Sequence, residues 1–593
     1  MTQTCQNCKK EFQITEEDLQ FYQRINVPPP TWCPECRMIR RMIWRNEKTL
    51  YKRKCSATNK EIFSMFRQDA PVVVYDRDYW WSDNWDPMDY GKEYDFNKPF
   101  FEQFKELIQT VPWPSRSVND IVNSDYCMNA GNVKNCYLAF DADMCENCYY
   151  CTNITSSKDC VDCMNVRFCE LCYESVNLRN CYKGFFSSDC EQCNDIYFCH
   201  NCINCSNCIG CVNLKNKQYH IFNKPYSKEE YNNYLNKLFS DYNSIIDFKN
   251  KFEAFKLEFI SKYRHDRQTI NCSGDYIYNS KNVLNSYMVS SSENCKYCQL
   301  IMTPSSKDCY DYTSWGWNAE QIYESCAVGL DGSRLKFCNI CFSGSYDLEY
   351  CISCISSNNL FGCIGLRNKE YCILNKQYSK KEYFELREKI IKHMNAMPYI
   401  DKKGRVYKYG EFFPPEFSPF NYNETLAYQY FQFSKEEALN FGTGWTEREK
   451  RSYPITITKD KIPNNIESVD SNITKEVIEC EHQGNCNHNC TSAFRITTDE
   501  LMFYKRNKLP IPHLCPECRY FERAQKRNPI KLWHRKCECQ GTYGQNPNNP
   551  NTYQNQTIHF HQNNSCPNEF ETSYSPERPE IIYCEECYNQ EVV

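Results

Sequence analysis

The chain has no run approaching the ~20 apolar residues that a membrane span requires, so an integral membrane protein is not expected. Its opening residues, MTQTCQNCKKEFQITEEDLQFY, lack the basic and apolar regions of a signal peptide, and the expected compartment is the cytoplasm. Histidine is scarce, at 10 in 593 residues, which leaves few general-base candidates. P-loop, GxGxxG, HExxH and GxSxG sequences are all missing, so neither an enzyme nor a small-molecule substrate is expected. An excess of one charge is missing too. The formal net charge is −5, and any nucleic-acid surface must be a local patch.

What the chain holds in excess is cysteine, 43 residues of it. Aromatics at 15% and apolar residues at 41% supply material for a packed core and exclude disorder throughout. In a reducing compartment, paired cysteines mean metal or redox chemistry more often than disulfides. The cysteines fall in four stretches: 5 in 5–55, 17 in 127–211, 11 in 272–372 and 10 in 480–587.

The first stretch reads CQNC at 5–8 and CPEC at 33–36. This spacing suits a four-thiolate zinc site formed by Cys5, Cys8, Cys33 and Cys36. The last stretch repeats the design. Adding 482 carries Cys8, Phe12, Ile14, Thr15, Leu19, Tyr22, Cys33, Cys36, Arg37, Arg41 and Cys55 onto identical residues, an internal duplication. Cys5 instead maps to Asn487, and the nearest thiol is Cys486. The expected second set is Cys486, Cys490, Cys515 and Cys518, with Cys480, His482 or His488 as possible substitutes. A third set is expected from Cys539, Cys566, Cys584 and Cys587. Cys537 reads as a core residue like its counterpart Cys55, and the HxH pair His559/His561 is a weak signal. The cofactor count is thus two to three Zn²⁺.

Thr15 with Asp18, and Thr497 with Glu500, are spaced as helix-capping boxes, and a second helix is expected from each CPEC. These second segments, 37–54 and 519–536, are basic and carry interleaved aromatics. Arg37, Arg40, Arg41, Arg45, Arg519, Arg523 and Arg527 are therefore candidates for contact with RNA or a ribonucleoprotein. The competing readings are a solvated basic helix, or arginines paired with the acidic residues around 76–95.

Every cysteine in 127–211 lies in one phase, separated from the next by 3, 6 or 9 residues. The remaining positions of that phase are mainly small or apolar, so the phase reads as an inward column. Neither helical nor strand periodicity gives a strict three. Columns such as Cys136, Cys151, Val166 and Cys181 suggest a 15-residue register in a narrow stacked solenoid. The module recurs: GCVNLKNKQYHIFNKPYSKEEY (210–231) returns as GCIGLRNKEYCILNKQYSKKEY (362–383). Three readings of these 28 cysteines compete: packed core thiols, further soft-metal sites, and disulfide ladders.

The expected architecture is mixed and multidomain, with small zinc-ribbon or treble-clef modules at both termini flanking two narrow Cys-rich β-solenoid-like repeat domains with capping helices. The boundaries are an N-terminal zinc module at 1–60, an aromatic-rich irregular segment at 61–122, solenoid 1 at 123–226 and a bridging helix at 227–265. Solenoid 2 follows at 266–378, a helix and linker at 379–479, the second zinc module at 480–537 and a zinc-binding segment at 538–593. The pattern CxxCxxxFxIT…FY…P…CPECR, the paired Cys-rich repeats and the terminal YCxxCY together resemble an uncharacterised Cys-rich zinc-ribbon (treble-clef) protein family typical of candidate-phyla-radiation bacteria. The resemblance implies zinc binding and a cytoplasmic, bacterial setting, and it implies no activity. Two functions follow as expectations: a zinc-binding scaffold or interaction protein, with a soft-metal-handling or thiol-redox protein as the alternative.

Overall fold

The computed structural model describes residues 1–302, 306–317, 319–447, 453–545 and 553–592. The chain divides into two units, residues 1–117 with 264–447, and residues 118–263 with 448–593. Each unit joins one terminal cysteine module to one parallel strand-rich region.

In the strand-rich region of the second unit, backbone conformation explains the strict phase of three. From Asn129 to Tyr219 every third residue is left-handed, with φ between +45° and +63°. Asn and Asp tolerate this conformation best among residues with a side chain, and they occupy many of these positions. The residue after each left-handed one is, at most positions, a cysteine or a small or apolar residue buried in a continuous core. Parallel pairing then repeats at a fixed step. Thr152 pairs with Phe140 on one side and Met164 on the other, and Asn194 pairs with Tyr182 and Ser206. The step is 12 residues, not the 15 read from the cysteine columns. Both numbers are multiples of three, so the phase alone does not separate them. Four left-handed corners complete one step. Asparagine side chains run along the same step, with Nδ2 of Asn153, Asn165 and Asn177 each donating at 2.9 Å to the next residue of the ladder, ending on Asp189.

The first unit holds the related region. Its pairing step is 12 at both ends, as in Lys281 with Glu293 and Tyr346 with Asn358. It widens in the middle, where Gln299 pairs with Thr313 and Tyr310 with Tyr323. The wider layers need larger filling, and Tyr312, Ile322, Val328 and Leu335 are buried there among the cysteines. Each region ends in an antiparallel turn-back, at Lys224–Pro225 or Lys376–Gln377. Capping-box helices follow, Lys228–Leu238 from Ser227 and Lys380–Ala396 from Ser379. The span 227–265 is not one bridging helix. A second helix, Tyr242–Lys256, starts afresh at the Asp241 cap. Nor is the end of the expected linker at 379–479 loose, since Ile462, Ile466, Val469 and Ile473 are buried in the core shared with Leu501 and Tyr504.

The terminal modules match each other element by element. Helices Glu16–Arg24 and Thr498–Asn507 both start from complete capping boxes. Helices Pro34–Met42 and Pro516–Ala524 take Cys33 and Cys515 as N-caps. The basic segments are not helical throughout. They end as strands, Tyr51–Lys54 paired with Glu61–Ser64, and Trp533–Lys536 paired with Glu569–Thr572. No helix among the described residues is long and apolar enough to cross a membrane.

Candidate metal centres

Two turns supply the first centre. Cys5 and Cys8 lie between strands Thr2–Thr4 and Glu11–Gln13, and Cys33 and Cys36 open helix Pro34–Met42. The four sulfurs lie within 4.8 Å of one another. Cys8 and Cys33 are 3.7 Å apart, and the Cys33 amide donates to Cys5 Sγ at 3.2 Å. Four thiolates at ~2.3 Å from one tetrahedral ion are separated by about 3.8 Å, so the set fits a zinc-sized ion. A helix N-terminus beside the thiolates adds favourable charge. The neighbouring sulfurs of Cys33 and Cys36 hold the Cys5 thiol far below its ordinary value, while the Cys33 and Cys36 thiols are held above theirs.

The second module builds the same set with one substitution of origin. Cys480, Cys490, Cys515 and Cys518 form the four-sulfur group. Cys480 takes the place of Cys5, receiving the Cys515 amide at 3.2 Å, and lies 3.9 Å from Cys518. Cys486, expected in this group from its position near Asn487, belongs to a separate one. With His482 and His488 it gathers around Cys518, which is common to both groups. Cys486 Sγ lies 3.7 Å and His482 Nδ1 3.3 Å from Cys518 Sγ.

The end of the chain repeats this arrangement. Cys537, Cys566, Cys584 and Cys587 form a third four-sulfur group, with Cys566 and Cys584 3.9 Å apart. Cys537, read from sequence as a core residue, receives the Cys584 amide at 3.2 Å just as Cys5 receives that of Cys33. Cys539 sits instead with His559, His561 and the shared Cys587. The Cys587 sulfur, more than any other neighbour, lowers the Cys539 thiol to about 5. His559 Nδ1 is 3.4 Å from Cys539 Sγ, and its Nε2 is 2.8 Å from Glu591 in a fully buried contact. His561 turns Nε2 to Cys587 at 3.3 Å and donates through Nδ1 to the Asn564 carbonyl at 2.6 Å. An imidazole with one nitrogen at sulfur and the other fixed by an oxygen is prepared as a ligand. The four histidines were weak in the sequence because they lie in polar loops whose closure on the knuckles is not a local property.

The 28 cysteines of the strand-rich regions are all buried free thiols, and none belongs to the candidate metal groups found among the described residues. Their sulfurs donate to main-chain carbonyls within and across layers, as Cys151 does to Tyr149 at 3.3 Å and to Cys160 at 3.4 Å. Burial raises the thiols of Cys163, Cys190 and Cys199, and raises Cys326 to about 11.

Six of the seven arginines proposed for nucleic acid are buried. Arg37, Arg40 and Arg41 are at most 1% exposed. Arg37 meets Asp311 at 2.9 Å, Arg41 meets Asp311 at 3.1 Å and Glu324 at 3.2 Å, and Arg40 pairs with Glu324 and Glu411. Arg45 pairs with Glu47. In the second unit Arg519 and Arg523 both reach Asp162 at 2.8 Å, and Arg519 also meets Glu500. Arg527 is half-buried and donates to the Ala524 carbonyl. The carboxylates are not those around 76–95. Asp162, Asp311 and Glu324 come from the strand-rich region of the same unit, hundreds of residues away in sequence, whereas Glu47 and Glu500 belong to the modules themselves and Glu411 follows the strand-rich region.

No protein-family model matches the chain, and no curated protein does. Among solved structures, one match is the crystal structure of a proposed acetyltransferase from Desulfovibrio desulfuricans G20, at 10% identity over 49% of this chain and 86% of that one. Its TM-score is 0.10, and it carries no argument about fold or activity.

Proposed function

We propose that the chain is a zinc-dependent structural scaffold. Three four-cysteine zinc sites of the zinc-ribbon, treble-clef kind fold the terminal modules, and each module docks on a narrow β-solenoid of four-cornered, 12-residue coils. The observation that carries this reading is the double use of one helix in each module. Pro34–Met42 begins at Cys33 and Cys36 and continues through Arg37, Arg40 and Arg41, which are buried against Asp311 and Glu324. Metal at the helix start fixes the helix, and the helix fixes the dock. Soft thiolate sets of this geometry favour zinc among common divalent ions. The setting we assign is a bacterial cytoplasm, and the partner is another protein engaged by the repetitive outer surface. Nucleic acid draws no support from Arg37, Arg40, Arg41, Arg45, Arg519 and Arg523, which are paired with carboxylates. Thiol-redox work draws none from 28 buried sulfurs.

The test is metal content together with folding. Purified native chain should carry zinc, and a strong chelator should abolish the near-ultraviolet dichroism and open both modules to limited proteolysis. A chain that melts unchanged after losing its metal, or that never held any, would overturn the reading.

A further inference from the structure

The two groups around Cys518 and the two around Cys587 are each made of five cysteines and two histidines with one cysteine in common. In the second module the donors are Cys480, Cys486, Cys490, Cys515, Cys518, His482 and His488. At the end of the chain they are Cys537, Cys539, Cys566, Cys584, Cys587, His559 and His561. The shared residue is in both cases the second cysteine of the CxxC that opens a helix. We propose that Cys518 and Cys587 are bridging thiolates, each joining two metal ions, so that the chain holds five zinc ions and not three. The inference rests on the zinc-scaffold reading and adds to it two binuclear centres.

Three observations support it. One sulfur cannot complete two separate tetrahedral sets of partners unless it is bound from two sides, and Cys518 has such partners on both: Cys480 at 3.9 Å in one group, Cys486 at 3.7 Å and His482 Nδ1 at 3.3 Å in the other. The Nδ1 of His488 is buried with no hydrogen-bond partner among the described residues, while its Nε2 faces Gln525 Nε2 at 3.1 Å. The first module supplies the contrast. Its CQNC turn is seven residues shorter than the stretch from Cys480 to Cys490, has no room for the extra donors, and places the Asn7 side-chain amide on Cys36 at 3.3 Å instead. Cys36 thus receives an N–H where Cys518 meets a second donor set. Charge agrees. Four thiolates around one Zn²⁺ leave a net −2, whereas five thiolates and two neutral imidazoles around two Zn²⁺ leave −1. The smaller charge is less costly in a partly buried site.

The test uses the full chain reconstituted with Zn²⁺ from the metal-free state and measured by native mass spectrometry. Five ions per chain are expected. Three would overturn the bridges and leave the scaffold reading standing, whereas none would remove both. In the same chain loaded with ¹¹³Cd²⁺, through-bond ¹¹³Cd–¹¹³Cd coupling should join the resonances in two pairs and leave a fifth alone. Uncoupled resonances would overturn the bridges whatever the count. H482A/H488A should bind four ions and C518S three. If H482A/H488A still binds five, the second set at Cys518 is not a site.

Discussion

The two units share a dock and differ in their candidate metal groups. In one, Arg37 and Arg41 close on Asp311. In the other, Arg519 and Arg523 close on Asp162. The modules are related by 482 positions, and Asp162 stands to Cys160 as Asp311 stands to Cys309, so both faces of the dock were duplicated together. The donors were not kept alike. Cys537 receives the amide of Cys584 and belongs to a four-sulfur group, whereas its counterpart Cys55 receives the amide of Asp76 at 3.1 Å and belongs to none of the candidate groups among the described residues. The turn geometry survives in the first unit without the ligands. The comparison teaches that the ion-paired dock is common to both units, while the candidate ligand sets beside it differ.

The largest expected break in the comparison is metal removal. A structural zinc is worth about 10–16 kcal/mol in finger peptides, and four of the five candidate groups lie in the second unit. Chelator titration followed by peptide-resolved hydrogen exchange should therefore expose residues 480–592 more completely than residues 1–60. Equal exposure would erase the distinction. Next come the docks. Removing one partner of a buried ion pair costs about 3–5 kcal/mol. D162N and D311N should cost about the same, because in each dock one arginine keeps a second carboxylate, Arg41 with Glu324 and Arg519 with Glu500, while the other, Arg37 or Arg523, is left without its ion-pair partner. Chemical denaturation compares the two variants, and clearly unequal losses would show that the docks are not equivalent.

A smaller effect follows from pH. Burial pushes Glu349 upward, but Lys336 and Arg387 hold it lower still, at about 2 against an ordinary 4.5. The folded value lies below the unfolded one, so the stabilisation is complete above pH 4.5 and is lost as pH falls from 4.5 through 2. The equivalent position in the second unit is Tyr197. Wild type and E349Q should therefore converge in stability towards pH 2, with the difference confined to the first unit. A gap that persists there would refute the assignment. The smallest effect concerns the core thiols. Ser175 already occupies the column of Cys163 and donates to Tyr173 at 2.9 Å, much as Cys163 donates to Val161 at 3.4 Å. C163S should cost no more than about 1 kcal/mol, with zinc content unchanged. A loss of metal would move that sulfur into the ligand class.

Local signals were legible and closures were not. The capping boxes at Thr15, Ser227, Ser379 and Thr497 were readable because both partners lie three residues apart. The inward phase of three was readable because each left-handed residue is followed by a buried one. The 12-residue step was hidden because Ala139, Ser157 and Gly184 stand where the ladder would otherwise show cysteine. The exchange of Cys486 for Cys480 was hidden because the duplication aligns Cys5 with Asn487, and only the folded turn decides which sulfur meets the Cys515 amide. The arginines looked like a phosphate-binding surface because Asp311 and Asp162, which pair with Arg37, Arg41, Arg519 and Arg523, are remote in sequence.

That remoteness sets the order of assembly on the ribosome. Arg41 and Asp311 are 270 residues apart, which at ~5–20 residues per second is roughly fifteen to fifty seconds of synthesis. The first module leaves the exit tunnel with its guanidinium groups uncovered and must wait while the whole of 118–263 is made, a stretch that will itself wait for residue 519. A chain halted anywhere before Asp311 has closed neither dock. Both docks are closed only once the chain has passed Arg523, and until then some of its charges remain uncovered.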